Sequence, residues 1–226
     1  MTNRPIHLIS LALVTSLIGL PAGADPLLEM MRGLTKEGPI YAYEMTLSGK
    51  DFSATGLIDP SKPEGERIHI LTPDKSEWPE DFSANIADME ADTDGDIWCA
   101  GFAENIPDRV TKTSETDANA TYVFTPLPDS DADGVERKLM KKMDGEVTID
   151  KQDGAILAFK MRLPKPYKPA IVAKVNVFDM QASCQRAPDG RAYIKDFSMS
   201  VAGSAMMQDF EEQISREITS LLEPVG

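Results

Sequence analysis

The chain has 226 residues, is 42% hydrophobic and 27% charged, and carries 37 acidic against 23 basic side chains for a net charge of −14. That composition excludes a disordered or collagen-like chain and leaves enough length for a sizeable core. The whole-chain charge argues against a general affinity for nucleic acid or anionic lipid, which needs a basic footprint.

Arg4 is the only charged side chain before Asp25, residues 6–20 are mostly apolar, and Pro21 precedes the small-residue site Ala22-Gly23-Ala24. This is the pattern of a secretory signal, with cleavage expected after Ala24 and a mature domain over residues 25–226. No later apolar run is long enough to span a bilayer, so we expect an exported protein, periplasmic or otherwise secreted, that is soluble after cleavage. In an oxidising compartment an even count of two cysteines, Cys99 and Cys184, favours a disulfide over two free thiols.

In chain order, residues 26–34 predict a short opening helix. Alternation then places Tyr41, Tyr43, Met45 and Leu47 on one face of a strand, and Gly49-Lys50-Asp51 turns it into a second strand over 52–58. A third strand is expected over 66–71. Residues 73–96 set many carboxylates against Lys75 alone and read as an acidic insertion with one helical turn near 82–89. Strands are expected again at 97–102 and 121–125, followed by an acidic turn over 129–134 and a short helix over 135–143. The last third alternates most clearly. Strands over 146–150, 155–163, 171–182 and 192–202 are joined by the turns Gln152-Asp153-Gly154 and Asp189-Gly190. The tail, with Met206, Met207, Phe210, Ile214, Ile218, Leu221 and Leu222, reads as an amphipathic C-terminal helix capped by Gly203-Ser204.

Catalytic chemistry is poorly supplied. His69 is the only histidine besides His7, and no nucleophile elbow, zinc-protease helix or glycine-rich phosphate loop is present. We therefore expect no enzyme and no cofactor. Asp129, Asp131 and Asp133, followed by Gly134, match the first half of a calcium loop. The second half fails, with Met140 where a bidentate Glu belongs, so at most weak calcium binding is expected. All twelve methionines but Met1 lie beyond the leader. Their flexible thioethers suit a cavity of variable shape as well as ordinary core filling, and Met140 with Met143 also has a spacing open to Cu(I).

The leader, the opening helix, the segment SATGLIDPSKPEGERIHILTP (Ser53 to Pro73), the segment GEVTIDKQDGAILAF (Gly145 to Phe159) and the long paired strands after it resemble the periplasmic lipoprotein-carrier superfamily of the LolA and LolB type. The resemblance implies an α+β fold: a strongly curved antiparallel sheet, an unclosed half-barrel, covered by the N- and C-terminal helices, with acyl chains held between. A proline and an arginine of that family are matched by Pro63 and Arg67, but Glu66 and Ile68 flank Arg67 where the family has aromatics. The expected function is non-catalytic binding of a lipid or a lipidated protein in an apolar cavity formed by Tyr41, Tyr43, Met45, Leu47, Phe159, Met161 and Phe210. The alternative is an interaction module on the same scaffold, with a filled core and no ligand.

Overall fold

The computed structural model describes residues 25–78, 82, 86, 89, 90, 93–129 and 132–225. The expected signal segment, Asp131 and parts of the acidic insertion lie outside the described residues.

Helix α1 (Pro26–Arg32) opens the described chain. Asp25 caps it, accepting from the Leu27 N–H, and Pro26 supplies a preset φ where no helical N–H is needed. Strands β1 (Ile40–Gly49), β2 (Ser53–Ile58), β3 (Ile68–Thr72), β4 (Thr111–Glu115), β5 (Asn119–Phe124), β6 (Asp144–Asp150), β7 (Ile156–Arg162), β8 (Tyr167–Ala170), β9 (Ala173–Arg186), β10 (Ala192–Ala205) and β11 (Gln208–Val225) follow, with α2 (Gly134–Met140) before β6. All the strands belong to one antiparallel sheet in the order β3-β2-β1-β11-β10-β9-β7-β6-β5-β4, with β8 paired to β9. The sheet is curled and unclosed, with β3 and β4 at its free edges.

The C-terminal segment corrects the expectation of a covering helix. It is an 18-residue strand, β11, inserted between β1 and β10. Phe210, Ile214 and Ile218 recur every four residues, which fits one helical face but also one strand face, since four is a multiple of two. Tertiary pairing decides between them. Both flanking edges need their backbone groups satisfied, and Met206-Met207 forms the two-residue turn that folds β11 back onto β10.

Residues 97–102 are a second correction. Trp98 makes only an isolated bridge to Tyr193, and Cys99–Asn105 is a 3-10 turn lying over the sheet rather than a strand within it. Strands β4 and β8 were not expected. β4 is exposed throughout, so no apolar alternation marks it. The helical turn expected near 82–89 is present in the residues described there, Phe82, Ile86, Met89 and Glu90.

The cover of the apolar face is therefore assembled in two parts. α1 and the 3-10 turn lie over β5, β6, β7 and β9, closing a core that includes Leu28, Met31, Tyr122, Val147, Ile149 and Phe159. The segment through Ile97 and Trp98 lies over β1, β2 and β11, with Ile58, Tyr193 and Ile218 beneath it. Gly154, at φ +78° in the β6–β7 turn, lets α1 approach: a Cβ there would stand 2.8 Å from the Met31 nitrogen. The expected disulfide is present. Cys99 and Cys184 are joined with Cα atoms 6.4 Å apart, tying the 3-10 turn to β9.

Two measurements check this arrangement. Thiol titration of the unreduced protein should find no free thiol, and Cys99→Ala with Cys184→Ala should lower stability by about 2–4 kcal/mol in chemical denaturation, because the bond closes a loop of 85 residues. Asp25 is opposed by burial, but hydrogen bonds from Tyr122, the Leu27 N–H and Lys112 outweigh it and hold its pKa below the ordinary value. The stability it contributes should be fully present above the unfolded carboxylate pKa and lost as pH falls through the lower folded value. Asp25→Ala should cost about 1 kcal/mol at neutral pH and flatten that acid limb.

Candidate ligand-binding face

Cross-strand pairing lays out the apolar face in rows. One row runs Tyr122, Val147, Phe159, Ala182, Phe197, Arg216, Leu47, Ala54 across β5, β6, β7, β9, β10, β11, β1 and β2. The next runs Phe124, Gly145, Met161, Met180, Met199, Ile214, Gly49. Partners in register point to the same side of a sheet, so each row is a line of neighbouring side chains.

The seven residues expected to form a cavity are placed by these rows. Tyr41, Tyr43, Met45 and Leu47 do share a face, yet they are only 2–4% exposed and pack with Ile97, Trp98 and Tyr193. Phe159 and Met161 belong to the other core part, and Phe159 stacks on Phe102 of the 3-10 turn at 4.5 Å. Leu47 and Phe159 stand four strands apart in one row, about 19 Å at ordinary strand spacing. Phe210 lies in neither part. It is half-buried on β11, its ring against Gly203, where a Cβ would come within 2.8 Å of it.

Between the two covered parts lies a band the sequence reading did not single out. Phe178, Phe197, Met199, Val201, Phe210 and Ile214, on the long strands β9, β10 and β11, are all half-buried, and the exposed Glu212, in register with Val201, is the one carboxylate that shares their face on β11. Central strands are usually the most protected part of a sheet, and here the middle is the less covered part. Met161, Met180 and Met199 lie side by side in one row and give the band a deformable floor.

Arg216 projects into this band between Phe197 and Leu47. Its guanidinium carbon lies 5.6 Å from the centre of the Phe197 ring, and its Nε is buried without a hydrogen-bond partner. Among the described residues no carboxylate is within ion-pair distance of it. Burial raises the pKa of the nearby Tyr43 hydroxyl, and the Arg216 charge works against that rise. Arg216 was hidden by the helical reading of its segment: on a helix it would point away from Ile214 and Ile218, whereas on a strand it shares their face.

The other sequence candidates have structural roles. Asp133 caps α2, accepting from the Val135 and Glu136 N–H groups, which lower its pKa. Asp129 accepts from the Asn105 side chain at 2.9 Å. Arg67 donates to the backbone carbonyls of Lys62 and Thr93, while the Glu90 carboxylate accepts from the Arg67 and Ile68 N–H groups. These bonds pin the end of the acidic insertion to the β3 edge.

The opposite face is polar and open. A depression of about 700 Å³ there includes Asp144, Glu146, Arg162 and Asp179, and another of about 470 Å³ includes Ser198, Ser215 and Glu217; Lys160 and Gln181 line both. Among the described residues no helix is long and apolar enough to cross a membrane. Comparison with known protein families, curated proteins and solved structures finds no match.

Arg216 gives this face a direct test. Removing a buried donor that lacks a partner relieves a desolvation cost, so Arg216→Met should leave the melting midpoint unchanged or raise stability by about 1 kcal/mol. A loss of several kcal/mol would show that the guanidinium is held by the fold rather than held open.

Proposed function

We propose that the protein is an exported, non-catalytic binder of a lipid-like ligand, an acyl chain with an anionic head. The chain lies along the half-covered band of β9, β10 and β11, and the head pairs with Arg216. The observation that carries this reading is the combination of a half-buried apolar band with a guanidinium whose Nε lacks a partner. Apolar side chains at Phe178, Phe197, Met199 and Val201 gain from an apolar occupant, and an unpaired cation on such a surface gains from a carboxylate or phosphate. The carrier-type resemblance in the sequence agrees in ligand class but places the cavity elsewhere. The dense packing around Tyr41, Tyr43, Met45 and Leu47 favours the band over the cavity first expected from those residues. Delivery in this scheme needs no covalent step and no cofactor.

That same packing is the observation favouring the second reading, an interaction module with a filled core. Binding of a fluorescent fatty acid, together with native mass spectrometry of the gently purified protein, separates the two. Saturable uptake, or a co-purified lipid, is expected. Met199→Asp should abolish uptake at a smaller cost in melting temperature than a charge at Met45, because Met199 is half-buried and Met45 fully buried. Arg216→Gln should weaken binding of the acid by about 10-fold or more while sparing its methyl ester, the range of a lost charge-assisted hydrogen bond. A wild-type protein that takes up no acyl probe and carries no lipid would put the interaction module first.

A further inference from the structure

Among the described residues the four most exposed large hydrophobic side chains are Ile171 at 102%, Met207 at 101%, Met206 at 75% and Val172 at 61%. They are not scattered. Ile171-Val172 is the two-residue tip of the β8–β9 hairpin and Met206-Met207 is the tip of the β10–β11 hairpin. The tips sit side by side: Ala205 pairs with Ala173, and the Met206 N–H donates to the Val172 carbonyl at 2.9 Å.

Folding alone gives no reason for these residues. Met206 and Met207 both adopt left-handed backbone, φ 51° and 69°, in a turn whose geometry favours Asn-Gly. Two methionines there carry conformational strain and place both side chains in water, which stability would select against. Lys165 and Lys168, exposed, and Lys174, half-buried, accompany the tips, and among the described residues none of the three has an ion-pair partner. Lys168 and Lys174 line a depression of about 480 Å³ together with Ile171, Val172, Met206 and Met207.

We propose that this double tip docks on an anionic lipid bilayer, inserting Ile171, Val172, Met206 and Met207 among the headgroups while Lys165, Lys168 and Lys174 pair with lipid phosphates. Protruding apolar knobs with Lys168 and Lys174 beside them, and Lys165 further back before β8, fit a soft interface that admits single side chains. The net charge of −14 opposes docking of the chain as a whole. Yet the end of the acidic insertion lies beside Trp98, which bridges Tyr193 at the far end of β10. Twelve residue steps along the strand take Tyr193 to Ala205, about 40 Å, several times the Debye length at physiological salt. Asp209, opposite Ser204 on β11, is the carboxylate nearest the tip in the hairpin register; Glu211, ion-paired with Lys50, and Glu212 follow opposite Ala202 and Val201, further from the membrane-facing end. The site is separate from the acyl-binding band, although it lies at the end of the same strands.

Co-sedimentation of the purified protein with phosphatidylcholine–phosphatidylglycerol vesicles, set against phosphatidylcholine alone, tests it. Binding should require phosphatidylglycerol and disappear at about 1 M salt. The triple variant Lys165→Gln, Lys168→Gln, Lys174→Gln should bind on the order of 100-fold more weakly, at about five-fold per lysine. The decisive variant is Met206→Asn with Met207→Gly, which supplies the residues the turn prefers. Its melting temperature should stay or rise while vesicle binding falls roughly 10-fold or more, and its uptake of the fluorescent fatty acid from buffer should be unchanged. Wild-type protein that ignores both vesicles, or a Met206→Asn/Met207→Gly variant that binds like wild type, would overturn the proposal. So would a wild-type dimer that ignores vesicles and becomes a monomer in that variant, since the occupant would then be a second copy of this chain.

Discussion

Everything in this molecule depends on where β11 sits. The last long segment of the chain lies between β1 and β10 and makes a ladder with each. Without it the sheet would fall into two parts, β1 to β3 on one side and β4 to β10 on the other, each with an exposed edge of unpaired N–H and C=O groups. The pairing of β1 with β11 also joins the beginning of the described chain to its end. Loop closure over such a separation is entropically costly and must be offset by many contacts forming together.

The same insertion explains the form of the core. A sheet this wide has an apolar face too large for one short helix, and the two covers reach inward from opposite ends of the strand order. α1 and the 3-10 turn cover the β5–β9 side, and the Ile97–Trp98 segment covers the β1–β2 side. The disulfide matters because the 3-10 turn has few backbone bonds of its own to hold it down, and Cys99 anchors it on β9 through Cys184. Arg191 secures the second cover, its guanidinium 3.5 Å from the centre of the Trp98 ring while it donates to the Lys36 and Pro39 carbonyls. What neither cover reaches is the middle, where β9, β10 and β11 run longest.

Much of this fold was legible in the sequence wherever local signals agreed with tertiary ones. Tyr41, Tyr43, Met45 and Leu47 alternate and are buried together; residues 26–34 predict a helix and Pro26–Arg32 form one; the two cysteines expected to pair are joined. The failures have physical causes. β4 carries Thr-Lys-Thr-Ser-Glu, every residue exposed, and only hydrogen bonding to β5 makes it a strand. Residues 97–102 contain an apolar run, but beyond the bridge of Trp98 to Tyr193 they turn into the 3-10 segment that Cys99 ties to β9, and they pack over the sheet instead. In β11 the spacing of Phe210, Ile214 and Ile218 fits both periods, and no local rule separates them. That one ambiguity concealed the candidate site, because Arg216 joins the apolar face only when its segment is extended.

The two features least explained by stability lie on the same three strands. An unpaired guanidinium on an apolar face and a pair of methionines in left-handed turn positions each cost free energy that simple substitutions would recover. Elsewhere the chain follows local rules closely: helices are capped, the Gly154 turn is filled correctly, Gly145 and Gly203 each lie under a phenylalanine ring from the neighbouring strand, and Gly49 lies under Phe52 of the β1–β2 turn. A sequence that satisfies such rules at routine positions and breaks them at neighbouring ones marks where something other than folding acts on it. Arg216 and the Met206-Met207 tip are those places. One lies on β11, the strand that holds the sheet together, and the other in the turn that leads into it, so a ligand at one and a surface at the other would both act on the most constrained element of the fold.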